Sequence, residues 1–307
     1  MRALPTLRQL RYLVTVAETL HFGQAAERCH VTQSTLSAGI ADLEDLLGVV
    51  LLERKSRRKV LLTPLGDDLV RRARAILADA EALVDAAQAG AHPLAGELRL
   101  GIIPTIGPYT LPRALPAVRR AYPDLRLYLR EEQTARILED VPAGRLDCGL
   151  LALPFDVGDL EVMPLWREDV VVALPQGHPL AHGPGRLNGE DLARVDLLLL
   201  EDGHCLRGHA LQACRLGGPE ENEAFQATSL NTLVQMVANG LGVTLLPRSA
   251  VPVEVAAGSG VAVREIEGAE AARTAALVWR PGSPRARDFR LLGEVLRAAA
   301  PPGTVAA

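Results

Sequence analysis

The chain has 307 residues, of which 48% are hydrophobic, 23% charged and 3% aromatic, with a formal net charge of −4. That length exceeds one small core and falls short of three, so a small domain joined to a larger one is expected, and the composition excludes a disordered chain. So few aromatics argue against a stacking platform for single strands or RNA, which leaves double-stranded DNA or small ligands.

The weakly acidic total conceals a basic cluster at Arg54, Lys55, Arg57, Arg58 and Lys59, enough for a local phosphate-binding patch. Arg8, Arg11 and Glu18 interrupt the N-terminal apolar pattern, so no signal peptide is expected. The longest uncharged stretch, 224–247, is broken by Gln226, Asn231, Gln235, Asn239 and two glycines, so no membrane partner and a cytoplasmic location are expected. The four cysteines, Cys29, Cys148, Cys205 and Cys214, are too few for a secreted disulfide framework; in a reducing compartment a disulfide among them is transient and functional.

In chain order, Thr6 can cap a helix whose apolar face is Leu7, Leu10, Val14 and Ala17, with Leu13 and Leu20 beside it. A short second helix carries Ala25 and Ala26, and His30 and Val31 make a turn. Thr32 caps a third helix with Leu36, Ile40, Leu43 and Leu47 inward, which leaves Gln33, Ser34 and Ser37 at its exposed N-terminal end, the end that enters the major groove in helix-turn-helix proteins. Glutamine can pair with adenine edges and serine can contact bases or phosphates. After Gly48, strands at 49–52 and 60–62 flank the basic run, so Arg54, Arg57 and Arg58 stand on a wing that can reach the DNA backbone. The alternative reading is a plain three-helix packing unit with a solvated charged loop.

Thr63-Pro64 starts a long helix, with Asp67 and Asp68 near its positive end. Leu69, Ala73, Ile76, Ala80, Leu83 and Ala87 follow in alternating steps of four and three, a heptad seam that calls for a partner helix. A dimer suits a two-fold symmetric DNA site, although packing within its own domain also satisfies the stripe. The domains expected are therefore a DNA reader at 1–63, a dimerisation helix at 64–91 and a regulatory part at 92–307.

From Glu97 strands at 98–103, 125–129 and 148–153 alternate with helices at 111–121 and 135–141, the pattern of a parallel α/β sheet. A second unit has strands at 170–174, 197–200 and 243–246 and a helix at 230–239; a strand at 274–279 and a helix at 285–297 return to the first. Subdomain I thus takes about 92–167 and 274–307, subdomain II about 168–273, with a ligand cleft expected between them.

No metal motif and no Ser-His-Asp pattern appears, so neither metal nor cofactor nor enzymatic activity is expected. Cys205 lies between His204 and Arg207, whose positive charge favours the thiolate form that attacks a peroxide oxygen. The sulfenic acid so formed can condense with a second thiol, for which Cys214 is the candidate. Nine residues of helix hold two Cα atoms roughly 13 Å apart, while a disulfide needs about 7 Å or less, so a helix here must refold on oxidation. Two other readings stay open: buried inert cysteines, and a metal site from His204, Cys205, His209 and Cys214.

The runs His21-Phe22-Gly23-Gln24-Ala25-Ala26-Glu27-Arg28, Thr32-Gln33-Ser34-Thr35-Leu36-Ser37 and Leu62-Thr63-Pro64-Leu65-Gly66 resemble the LysR-type transcriptional regulators. Gly203-His204-Cys205-Leu206-Arg207, Ile103-Pro104-Thr105-Ile106-Gly107-Pro108-Tyr109, Arg145-Leu146-Asp147-Cys148, Ala227-Thr228-Ser229-Leu230 and Arg280-Pro281-Gly282-Ser283-Pro284 are similar to the peroxide-sensing members of that family. The resemblance implies a winged helix-turn-helix, a linker helix and a periplasmic-binding-protein-like regulatory domain of two α/β subdomains. It further implies a homodimer or homotetramer acting on promoter DNA with RNA polymerase, and hydrogen peroxide as the signal. Cys205 matches the peroxidatic and Cys214 the resolving cysteine, while Thr105, Thr134 and His204 match residues lining the peroxide pocket and Arg273 one close to it. Gly208 and His209 depart from the family pattern, and a regulator answering to a small organic effector in the cleft is the competing reading.

Overall fold

The computed structural model describes residues 3–54, 60–88, 94–192, 195–213, 226–268 and 272–307. Contacts divide the chain into two compact units, one of Met1–Gly90 with Pro142–Arg145, the other of Ala91–Val141 with Leu146–Ala307.

The first unit runs α1 (Leu7–Thr19), α2 (Phe22–Arg28), α3 (Gln33–Leu47), β1 (Leu52–Arg54), β2 (Val60–Leu62) and α4 (Pro64–Gln88). Each helix start is satisfied by a side chain. Thr6 Oγ1 accepts from the Gln9 amide at 3.2 Å while Gln9 Oε1 accepts from the Thr6 amide at 2.9 Å, closing a capping box. His21 Nδ1 accepts from Gly23 and Gln24 at 3.1 and 3.2 Å, and Thr32 Oγ1 from Thr35 at 3.2 Å.

The core of this unit gathers Leu13 and Val16, Ala25 and Ala26, and Leu36, Ile40 and Leu43 with Leu51 and Val60. The apolar face of α1 differs from the one expected: Leu7 is 50% and Leu20 44% exposed, whereas Tyr12, Leu13 and Val16 are buried. The helix is held on two sides, with Tyr12, Leu13 and Val16 in the core shared with α2 and α3, and Leu10 and Val14 against Ala73 and Leu77 of α4. Leu20, at φ 49°, caps the helix in the left-handed region and turns outward, and Leu47 at the end of α3 is 38% exposed. The same packing revises the seam of α4. Ala73 is buried inside its own unit, and Leu69 is half-buried, so only Ile76 and Leu83, 49% and 69% exposed, remain open large residues of the expected stripe, with half-buried Ala80 between them.

The second unit runs β3 (Gly96–Ile102), α5 (Gly107–Ala121), β4 (Leu125–Glu131), α6 (Thr134–Asp140), β5 (Cys148–Leu153), β6 (Glu161–Pro175) and α7 (Gly189–Leu192). It continues with β7 (Leu199–Leu200), α8 (Cys205–Ala213), β8 (Gln226–Ala227), α9 (Leu230–Ala238), β9 (Thr244–Pro247) and α10 (Val251–Glu254). It ends with β10 (Val261–Glu265), β11 (Ala272–Trp279), α11 (Ala286–Ala298) and β12 (Val305–Ala306). The α/β class is as expected, but the sheet is mixed: β3 is parallel to β4 and β5, and β11 is antiparallel to both β5 and β6.

The strand expected at 170–174 starts at Glu161 and is shared by both halves of the unit, pairing first with β11 and then with β9 and β10. Its early part escaped the alternation rule because the register shifts between Pro164 and Trp166, leaving Leu165 and Trp166 both buried. Proline lacks the N–H of a regular ladder and sits at such a bulge. Strand β10 was also unforeseen. One apolar core lies around β3, β5, β11 and α11; two others flank the second half of β6, one of them closed by Leu230, Leu233, Val234 and Val237 of α9. Among the described residues no helix is long and apolar enough to cross a membrane.

Candidate redox site and DNA-reading face

The loop after β7 turns into α8 at Gly203, whose φ of +92° favours glycine; a Cβ there would lie 2.6 Å from Gln133 Oε1 and would push that side chain aside. Gln133 Nε2 in turn donates to Glu201 at 2.8 Å, so the start of α6, with Thr134, abuts the loop that carries His204. Cys205 is the first residue of α8, a free cysteine only 2% exposed. It touches a groove of about 710 Å³ formed by residues 153–157, Val162, Gly208 and His209.

His209 stands one turn beyond Cys205 and is 4% exposed. Its Nε2 lies 2.9 Å from the Pro154 carbonyl oxygen, which makes Nε2 the protonated nitrogen, and Nδ1 has no hydrogen-bond partner among the described residues. Burial lowers its pKa to about 4, partly opposed by the Pro154 bond and reinforced by the Arg273 charge. Burial also lowers that of His204, opposed by Glu201. His204 is therefore neutral near pH 7 and does not supply the positive charge expected of it beside the thiol. Arg207 is occupied, donating to the Leu200 carbonyl at 3.2 Å and pairing with Asp202 at 3.0 Å.

Thr105 and Arg273 meet directly. Arg273 Nη1 donates to Thr105 Oγ1 at 2.8 Å, and Nη2 to the Thr105 carbonyl at 2.6 Å. The same guanidinium pairs with Glu168 Oε1 at 2.8 Å, both side chains fully buried, and Glu168 Oε2 accepts from the Ser249 amide at 3.1 Å. Such a pair survives burial because its remaining valences are filled. The Thr134 hydroxyl is buried without a hydrogen-bond partner among the described residues.

Glu168 was missed in the sequence because Arg167-Glu168-Asp169 reads as a solvated run, although the inward alternation of Val170, Val172 and Leu174 extended back two residues points to it. The 153–157 segment carried no signal. Cys148 is wholly buried, and burial pushes its thiol pKa well above the ordinary value, so it is a packing residue. Half-buried Cys29 lies 3.4 Å from Thr15 Oγ1. Cys214 lies outside the described residues. Within the metal reading, His209 Nε2 is already engaged by Pro154, and no group of three or more ligating side chains occurs among the described residues.

In the first unit Gln33 and Ser34 are exposed at the start of α3 and Ser37 is half-buried one turn on. Arg54 ends β1; Arg57 and Arg58 lie outside the described residues.

Two family profiles match. Residues 7–67 match the bacterial regulatory helix-turn-helix protein of the lysR family, and 91–301 the LysR substrate binding domain. The chain is 45% identical over 298 residues to the HTH-type transcriptional regulator EstR of Acinetobacter baylyi, covering 97% of this chain and 98% of that protein. It is 44% identical over 292 residues to the DNA-binding transcriptional dual regulator OxyR of Escherichia coli, covering 95% of each. A full-length cysteine-to-aspartate variant of OxyR from Pseudomonas aeruginosa superposes with a TM-score of 0.79 at 40% identity, covering 97% of this chain and 99% of that one. A cysteine-to-serine mutant of Corynebacterium glutamicum OxyR with H2O2 bound gives 0.65 at 38% identity, covering 97% and 94%.

Proposed function

This chain belongs to the LysR family of bacterial transcriptional regulators, and we propose that within it the protein senses hydrogen peroxide through Cys205 and reports the event to promoter DNA. The observation that carries the reading is Cys205 itself: a free, buried thiol at the first turn of α8, reached by a groove, in a chain similar along nearly its full length to proteins named for hydrogen peroxide response.

The chemistry follows from the groups at hand. The Cys205 thiolate attacks one peroxide oxygen, the S–O bond forms as the O–O bond breaks, and the departing hydroxide takes a proton to become water. Backbone N–H groups of the first helical turn, the unpartnered Thr134 hydroxyl, Thr105 and neutral His204 are the donors suited to the charge developing on the leaving oxygen. Arg273 holds Thr105 in place. The Cys205 sulfenic acid then condenses with the Cys214 thiol, forming the S–S bond and releasing a second water. Ala213, eight residues along α8, stands about 12 Å from Cys205 by helical rise, so that disulfide requires α8 to come apart.

Gln33, Ser34 and Ser37 read the major groove and the wing residues Arg54, Arg57 and Arg58 hold the backbone. The open residues of α4 pair two copies in a homodimer or homotetramer that works with RNA polymerase. The test is footprinting of reduced and peroxide-treated protein on promoter DNA. Cys205→Ser is expected to abolish the change in footprint, and Cys214→Ser to leave a trappable sulfenic acid but no disulfide. Identical footprints before and after oxidation of the wild type overturn the reading.

A further inference from the structure

Helix N-caps are filled by Ser, Thr, Asp or Asn, whose short side chains reach back to the first turn. Gln133 stands at the N-cap of α6 and makes no side-chain capping bond. Its carboxamide is spent on another element: Nε2 donates to Glu201 at 2.8 Å, and its oxygen end lies against Gly203, where a Cβ would come within 2.6 Å of Oε1 and 3.2 Å of Cδ. Thr134 follows Gln133 directly, and His204 and Cys205 follow Gly203. One side chain thus joins the start of α6 to the loop that delivers the thiol. The two ends are anchored apart. Ile137 of α6 is wholly buried in the core around β3, β5 and β11, whereas the Glu201 amide donates to the Ala227 carbonyl of β8 at 3.1 Å. Strands β7 and β8 form a two-stranded sheet of their own, separate from the sheet on which α6 packs, so no strand ladder among the described residues fixes the loop against Thr134.

We propose that Gln133 and Glu201 are positioning residues for the reaction at Cys205, and that the bond between them holds Thr134 and His204 in register around the sulfur. The inference rests on the peroxide-sensing reading above. Neither side chain meets peroxide; each acts through the residue it anchors. Thr134 comes from α6 and His204 from the loop, so the distance between these two donors is set where the elements are tied together. Without the tie the first turn of α6 and the loop settle independently, and donors that must reach one developing charge lose their alignment. Condensation with Cys214 follows once α8 has come apart and does not use this alignment. The bond therefore governs the first step of the reaction and not the second.

The experiment follows the reduced full-length protein after addition of hydrogen peroxide, with sulfenic acid at Cys205 trapped by dimedone and the disulfide read by timed alkylation. The first step is bimolecular and the second is not, so varying the peroxide concentration separates their rates. Gln133→Leu removes the donor without changing the charge, and is expected to slow sulfenic acid formation about tenfold or more while leaving disulfide closure unchanged. Glu201→Ala breaks the same bond from the other side and is expected to do the same, which carries the test if circular dichroism shows that the first variant does not fold. Gln133→Glu combined with Glu201→Gln exchanges the partners at unaltered net charge, and is expected to recover most of the wild-type rate. A general loosening of the fold produces no such recovery. Sulfenic acid formation at the wild-type rate in either single variant overturns the proposal and leaves peroxide sensing intact, as does slowing of both steps alike or failure of the exchanged pair to recover. No reaction of the wild type with hydrogen peroxide overturns the sensing reading itself.

Discussion

A neutral histidine buried beside a thiol leaves a signature in stability. The unfolded chain takes up a proton on His209 near pH 6.5, while the folded ring accepts one only near pH 4. Between those values the unfolded state binds more protons, so stability falls as pH falls through the window, by about 3 kcal/mol for this one group. His204 acts in the same direction. Urea unfolding at pH 7 and pH 4.5 is expected to show a smaller acid loss in His209→Gln than in the wild type; equal losses would mean that the ring is hydrated in the fold. Glu168 is the second residue whose weight can be measured. Glu168→Gln leaves the Arg273 guanidinium buried without its counter-charge, which costs about 3–5 kcal/mol, and it frees Thr105 to shift. Chemical denaturation is expected to show a loss of that size, whereas a loss under 1 kcal/mol would indicate that water reaches Arg273.

Among the elements, α4 buries one side within its own unit and leaves another side open. Val70, Ala73 and Leu77 are buried at home, while Ile76, Leu83 and Val84 stand 49%, 69% and 56% exposed. Leu83→Glu places a charge on the open stripe and none in the core, so sedimentation is expected to show weakened self-association with an unchanged melting temperature of the monomer fold. Unaltered assembly would remove this stripe from the interface. The start of the same helix is less forgiving: a Cβ on Gly66 would lie 2.2 Å from the Leu51 carbonyl oxygen, and the Gly66 amide donates to Thr63 at 2.9 Å. Gly66→Ala is therefore expected to destabilise the first unit by about 1–3 kcal/mol in thermal unfolding. These elements show what the chain order makes readable. Caps at Thr6, Thr32 and Thr63 and the periodic runs of α3 and α4 are local features, legible from neighbours in sequence. The choice of Tyr12 over Leu7, or the withdrawal of Ala73 from the seam, depends on which helices flank α1, and no local pattern carries that. The sheet is similar: β3, β4 and β5 were legible from alternation, but the antiparallel insertion of β11 between β5 and β6 is a long-range pairing. At the candidate site the cysteine motif announced itself, while Glu168, the 153–157 segment and the unpartnered His209 nitrogen matter only through contacts made across the fold.

At the scale of the whole molecule the question is how a bond between two sulfurs becomes a change in DNA contact, and the quantity that controls it is the cost of taking α8 apart. A nine-residue helix is marginal by itself, since nucleation is unfavourable and isolated helices this short do not persist in water. Gly208, exposed in the middle of α8 with open space around its Cβ position, weakens it further. Gly208→Ala adds a methyl group that meets nothing and favours the helix by about 1 kcal/mol, roughly a fivefold shift in the opening equilibrium. On the proposed mechanism, attack on peroxide takes place at the intact first turn and does not need the helix to open, whereas bringing the chain beyond Ala213 back to Cys205 does. Gly208→Ala is thus expected to leave the rate of sulfenic acid formation at Cys205 nearly unchanged, to slow disulfide formation by about fivefold, and to delay the change in footprint to the same extent. Alkylation of free thiols at timed intervals after a peroxide pulse separates the two steps. If the disulfide forms at the wild-type rate in this variant, opening of α8 is not the step that links oxidation to DNA, and the coupling must lie elsewhere in the second unit.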